Sequence, residues 1–308
     1  MCLAIVLVTS YLASGVANNQ ADKALQSATK GKQKSLELVL AQITDSARFF
    51  VSLEEAKDSL MKSMVGWKNL KEGQTETLRR IFVDNNPHAP HERHLLVEPE
   101  EKNYYVQNHQ IVHEIYGGII RQGLFSDAAL LSKDGNIAYS YGKGPEFGRN
   151  IDAAEISNHP VQIALGQIVD ANTAGNLEAG QIYTSGFTTL GDGQVSLVLA
   201  APVMYLGNYF GAVAFSANME RIAALLNDAS GIGETERVFL VDAIGQLVGL
   251  GQNGSGTTVF KLSDISSGEG QLAIDGIDYR FAQSGGEIFG SNFGLVEAVQ
   301  QTELSAAA

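Results

Sequence analysis

Tyr139, Tyr141 and Lys143 follow one another at every second residue through "YSYGK". In a β-strand that spacing places all three side chains on one face. Two rings with hydroxyl donors and one cation suit a small-molecule pocket with a preference for negative charge. Tyr183, in a later strand candidate, and Phe187 at its end extend the set. The alternative is structural: tyrosines that cap a core and keep their hydroxyls in water.

The histidines are the other residues with chemical potential. His88, His91 and His94 recur at every third position, and His109 and His113 are spaced i, i+4. "HERHL" is not H-E-x-x-H, because its second histidine comes too early for the two rings to share a helical face. Pro87 and Pro90 predict extended or turn structure over 87–94, where a three-residue spacing does not converge the rings. The reading is a solvated loop plus two ordinary helix histidines, and a metal-binding envelope enzyme is the alternative. Glu54-Glu55 and Glu98/Glu100/Glu101 read as solvated charge runs.

Other catalytic spacings are missing. The sequence has no G-x-S-x-G nucleophile elbow and no Walker loop. "GKGPEFG" lacks the second Gly-Lys-Ser/Thr, and "GIGETE" lacks the third glycine of a dinucleotide fingerprint. No enzymatic activity, cofactor or metal is therefore expected. A formal net charge of −13 argues against nucleic acid, which requires a basic footprint. The single cysteine, Cys2, excludes an internal disulfide framework.

The elements that must hold these residues are legible from periodicity. "MCLAIVLVTSYLASGVANNQA" carries no charge before Asp22. It reads as the outer part of a first transmembrane helix, with a cleaved signal or a buried core helix as alternatives. Leu36, Val39, Ile43, Ala47 and Phe50 then form one apolar stripe on a long helix free of proline to Trp67. That helix is expected to stand up from the membrane and to pair with a second copy. Helices are also predicted near 75–82, 102–122, 159–168 and 218–230.

Two hairpins share one rhythm. "ALLSKDGNIAYS" (129–140) turns on Asp134-Gly135, and "FLVDAIGQLVGL" (239–250) turns on Gly245. Strand candidates at 181–187, 195–203 and 209–217 complete a five-stranded antiparallel meander after the first hairpin. After the second come a glycine-rich loop over 251–270, a hairpin in "QLAIDGIDYRFAQ" and a last strand in "FGLVEAVQ". A repeat at about 110 residues is too long for a solenoid and means duplicated modules.

The order of segments resembles the double Cache sensor domain, the extracytoplasmic part of methyl-accepting chemotaxis proteins and of some histidine kinases and cyclases. The resemblance rests on "LRRIFVDNNPHAPHERHLL", "LFSDAALLSKDGNIAYSYGKGPEFGRNI", "APVMYLGNYFGAVAFSANMERI" and "GIGETERVFLVDAIGQLVG", and it spans roughly 20–305. It implies an α+β fold, a long N-terminal helix carrying two tandem PAS-like (Cache) modules with antiparallel sheets. The implied division is a membrane-helix remnant at 1–17, stalk helix and following helix at 18–84, and a membrane-distal module at 85–217. A connecting helix and linker (218–237), a membrane-proximal module (238–302) and an approach to a second membrane helix (303–308) follow.

The resemblance also implies a small-molecule ligand in the distal module, a homodimer through the long helix, and a bacterial inner-membrane receptor with this region in the periplasm or outside the cell. Amino-acid-binding members carry an Arg-x-Trp in the helix before the first sheet strand, which "HQIVHEIYGGIIRQG" lacks. Their tyrosine position holds Phe187 and their aspartate position holds Ser216. With Lys143 present and no carboxylate at Ser216, the expected ligand is an organic acid or a neutral metabolite. The expected output is chemotaxis, with a kinase or cyclase as the alternative.

Overall fold

A computed structural model describes residues 2–306 except 192, 229–231, 252–255, 262–267 and 289–290; for 2–18, 257–261, 287–288, 291–292 and 305–306 only the backbone is described. Helix α1 (Cys2–Ser52) runs without interruption through Gly31, where a Cβ would meet nothing within 4 Å. It stops at Leu53, whose ψ of 150° is extended, and α2 (Glu54–Asn69) restarts with Glu54 and Glu55 in its first turn. Carboxylates there complement the positive end of a helix. The proline-free run to Trp67 is thus two helices.

The apolar stripe is spent inside the chain. Leu36, Ile43 and Ala47 are buried, and Phe50 lies 6.3 Å from Phe125 and 6.2 Å from Phe215, ring to ring. A charge at Ile43 would therefore break packing within one copy, whatever it did to a second. Among the described residues no helix is long and apolar enough to cross a membrane. The side chains of the span expected at 1–17 lie outside the described residues.

Helix α3 (Gln74–Arg79) continues into a π turn at Arg80–Asp84, and Pro90–Leu95 forms a short 3₁₀ helix rather than extended structure. Helix α4 (Tyr104–Ile120) begins at Asn103, whose side chain accepts a hydrogen bond from the Val106 N–H at 2.9 Å. That is an ordinary N-cap.

Strands β1 (Phe125–Ser132) and β2 (Ile137–Ser140) form the first hairpin. Helix α5 (Pro160–Ala174) then leads to β3 (Tyr183–Thr189), β4 (Val195–Tyr205) and β5 (Asn208–Ala217). The sheet order is β2-β1-β5-β4-β3, so it is not the simple meander expected. The chain leaves β2 through α5 to the far edge and returns strand by strand, which seats β5 against β1. Ala129, Leu131, Val198, Ala200, Ala212 and Ala214 pack with Val161, Ala164, Leu165 and Ile168 of α5. Helix α4 covers the other face.

Helix α6 (Met219–Leu226) leads into a second antiparallel sheet: β6 (Arg237–Val241), β7 (Gln246–Leu250), β8 (Gly256–Lys261), β9 (Glu269–Ile274), β10 (Ile277–Ile288) and β11 (Ser291–Gln300). Its order is β8-β7-β6-β11-β10-β9, and a last helix, α7 (Gln301–Ala306), follows. The loop expected over 251–270 contains β8, so this module is not an abbreviated copy. Thr257, Thr258, Val259 and Phe260 supply the β-branched and aromatic run that the glycines on either side obscure. In both sheets the first strand of the module pairs with the last, as in PAS-like modules.

By contact density the chain forms two units. The first comprises Met1–Leu40, Gly186–Val195 and Met219–Ala308; the second comprises Ala41–Ser185 and Ser196–Asn218.

Close backbone approach fixes one position in the second unit. A Cβ on Gly211 would lie 2.4 Å from the Leu131 carbonyl oxygen and 2.5 Å from Leu60 Cδ2, at a φ of +156°. Gly211→Ala is expected to cost about 1–3 kcal/mol by forcing β1 and β5 apart. A urea midpoint unchanged by the substitution would contradict this packing.

Candidate functional site

The site begins with a β-bulge. Ala129 pairs with Ser140 and Leu130 with Tyr139, but Leu131 pairs with Ile137, leaving Ala138 as an extra residue in β2. A bulge lets residues two apart face opposite ways. Ile137 therefore packs under α5, whereas Tyr139 turns toward α4. The Tyr105 hydroxyl donates to the Ala138 carbonyl at 2.6 Å and pins the bulge from α4.

Tyr139 is fully buried, with its ring centroid 5.6 Å from that of Tyr116. Its hydroxyl lies 3.1 Å from His113 Nδ1, and His113 Nε2 lies 2.8 Å from the His94 carbonyl oxygen. A carbonyl can only accept, so Nε2 carries the proton and Nδ1 accepts from Tyr139. Burial, with the nearby Lys143 charge, lowers the His113 pKa to about 3. His109 is held well below its ordinary value by burial, then Lys143 and His113; only the Val97 backbone opposes. Both imidazoles are neutral at pH 7.

These rings stack. Tyr141 lies 4.6 Å from His113 at 11°, His113 lies 5.1 Å from His109 at 21°, and His94 covers Tyr141 at 5.3 Å and 25°. Phe82 closes the far end, 4.2 Å from His109. The i, i+4 pair on α4 and the period-two tyrosines after the bulge are the sequence signals for this column. The 3₁₀ helix brings in His94, against the expectation of a solvated loop. Among the described residues, no group of three or more His, Cys, Asp or Glu side chains is placed to hold a metal ion.

Lys143 sits beside the column. It is fully buried, adopts a left-handed φ of +54°, and its Nζ has no hydrogen-bond partner among the described residues. The Phe82 ring centroid, 5.8 Å away, is its aromatic neighbour. Burial lowers its pKa to about 7, partly offset by the charge of Asp127. A non-glycine residue in this backbone region is a strained one, and such residues concentrate at functional sites.

Two carboxylates frame the lysine, and sequence reading missed both. Asp127 accepts from the N–H groups of Gly142 at 2.8 Å and Ala128 at 2.7 Å, while burial, then the charge of Glu146, pushes its pKa up. Glu146 is buried and accepts from the Ser140 hydroxyl. Gly142 and Gly144 admit these groups. A Cβ on Gly142 would stand 2.7 Å from Asp127 Oδ2, and one on Gly144 2.4 Å from Glu146 Oε2.

The structure thus brings together Tyr139, Tyr141 and Lys143 but not the other three sequence-derived candidates. Tyr183 packs against the α5 cluster on the opposite sheet face. Phe187 belongs to the first unit, where its carbonyl accepts from the Ala243 N–H at 2.7 Å. Ser216 is paired in register with Asp127. The carboxylate missing at 216 is present one strand over.

No protein-family model matches the chain, and no curated protein does. Solved structures do match. The extracellular domain of vpHK1S-Z8, described as a histidine kinase, aligns over 93% of this chain and 95% of its own at 15% identity, with a TM-score of 0.55. The domain of a sensory box/GGDEF family protein from Vibrio parahaemolyticus aligns over 94% and 99% at 12% identity, with a TM-score of 0.53. The likeness is one of fold: a long helix with two PAS-like modules, the double Cache arrangement.

The histidine column makes a direct prediction. With a pKa near 3, His113 should remain neutral at pH 5, where an ordinary histidine with a pKa of about 6.5 is charged. Ring nitrogen shifts in an NMR titration should keep the Nε2–H tautomer throughout that range. A His113 midpoint near 6 would contradict the geometry.

Proposed function

We propose that this chain is the extracytoplasmic small-molecule-sensing region of a bacterial transmembrane receptor, with its ligand site at Lys143. The observation that carries the reading is the buried ammonium without a partner. An unpaired charge in a protein interior is costly, and burial offsets part of that cost by lowering the Lys143 pKa to about 7. A carboxylate or other small anion reaching the amine would favour its charged form through a charge-assisted hydrogen bond. The stacked rings of His94, Tyr141 and His113 lie beside it as a rigid aromatic column.

The double Cache fold supports sensing rather than catalysis, by analogy of fold alone. Ligand binding acts by shifting an existing equilibrium through differential affinity for two states. Anchoring through residues 1–17, pairing of two copies along α1 and a chemotactic output belong to this reading through the sequence resemblance. A kinase or cyclase output is the second reading. It is favoured by the two solved structures, which come from a histidine kinase-like and a GGDEF-family protein.

Lys143 gives the test its sign. Its pKa is lowered in the folded state from its ordinary value of 10.5. Folding therefore opposes the charged form, and stability rises as pH increases from about 7 to 10.5. Lys143→Met removes that cost and is expected to leave the ligand-free protein at least as stable at pH 7. A thermal-shift screen of small carboxylates should find one that stabilises the parent by about 2.7 kcal/mol at 100 times its Kd. Lys143→Met should abolish the shift and Tyr183→Phe should retain it. A destabilised Lys143→Met, or one that still responds, would make the lysine structural and overturn the assignment.

A further inference from the structure

The first unit holds a second buried charge cluster, with no role in the site above. Lys32 of α1 is 9% exposed, and its Nζ lies 2.8 Å from Glu236 Oε1, just before β6. The same ammonium donates to the carbonyls of Leu226, the last residue of α6, at 2.8 Å, and of Asp228, two residues beyond it. An ammonium has three N–H groups. All three are committed.

Glu297 of β11 is fully buried, pairs with Val238 two residues along from Glu236, and among the described residues neither of its carboxylate oxygens has a hydrogen-bond partner. Its register partners on the two flanking strands, Val238 and Ala282, carry no charge. Glu236 and Lys32 are the charged groups that act on it, and Thr29 of α1 is its neutral polar neighbour. Glu297 thus adds a second buried carboxylate near a cation whose donors are already spent. Buried like charges so placed cannot both ionise cheaply, and one proton is retained.

We propose that Glu297, Glu236 and Lys32 form a proton-operated latch joining α1 to α6 and β6 within the first unit. With Glu297 protonated, one cation meets one carboxylate and α6 keeps its lysine cap. When Glu297 loses its proton, a second negative charge faces the ammonium. Relief requires Lys32 to turn from the α6 carbonyls or Glu236 to leave, and either movement loosens α1. Acid closes the latch and base opens it. This goes beyond the ligand-sensing reading and needs no ligand.

The direction of the titration agrees. Burial, then the neighbouring Glu236 carboxylate, raises Glu297 to about 7, and the Lys32 charge opposes. A carboxyl raised in the folded state contributes stability that is present below its unfolded pKa and lost as pH rises through the folded one. The window runs from 4.5 to about 7.

The test uses the whole chain with carbon-13-labelled glutamate carboxyls, titrated from acid to mild base. One glutamate should titrate near neutrality and be missing in Glu297→Gln, which mimics the protonated form. Hydrogen exchange of the α6 amides, corrected for intrinsic rate, should quicken with that titration in the parent and not in Glu297→Gln. Glu236→Gln, which keeps the Lys32 contact as a neutral one, should lower the remaining midpoint by about one pH unit or more. The latch is overturned if every glutamate titrates in the ordinary acid range. It is equally overturned if α6 exchange in Glu297→Gln tracks the parent, or if Glu236→Gln leaves the midpoint unmoved.

Discussion

The Ala138 carbonyl accepts the Tyr105 hydroxyl at 2.6 Å, and the candidate site depends on that bond. It holds one surplus residue at the edge of a sheet, and the surplus residue reverses the facing of everything after it. Without the bulge Tyr139 would share a face with Ile137 and lie under α5. With it, the strand delivers Tyr139 and Tyr141 to the histidines of α4 and leads the chain into a turn around Lys143. The Tyr105 hydroxyl is itself fully buried, so the bond it makes is expensive to break. A small irregularity of pairing is made permanent by a helix that does not belong to the sheet.

The two buried lysines solve the same problem differently. Lys32 spends every donor on oxygen atoms, and the neighbouring Glu297 is left without one of them. Lys143 spends none, and adopts a strained backbone to remain where it is. Satisfied buried charge joins elements, while unsatisfied buried charge waits for a partner.

Periodicity revealed elements because it reports one burial face at a time. The helix at 104–120, the two hairpins and the strands at 195–205 and 208–217 follow from spacing. The break at Leu53 did not, since both flanking segments continue the helical pattern. The strand order did not either, because pairing β5 with β1 is a long-range choice that local pattern does not encode. At the site, Tyr139, Tyr141 and Lys143 were legible as an alternating run, although the bulge that orients them was not. Asp127 and Glu146 gave no signal: a lone carboxylate among apolar residues reads as surface until its partners are known. His94, on a proline-bounded segment, reads as solvent-exposed for the same reason.

Gly142 and Gly144 flank Lys143, and the usual explanation for glycine, a left-handed backbone, applies to neither: the lysine between them holds the positive φ. What excludes a side chain at each position is a carboxylate, Asp127 for one and Glu146 for the other. The constraint is therefore shared between two residues and can be released from either end. Across sequences that keep this turn, position 142 is free to enlarge where 127 has shortened, and position 144 where 146 has. The loop is written in pairs, and a record of which pairs change together would measure how tightly each glycine is tied to its carboxylate.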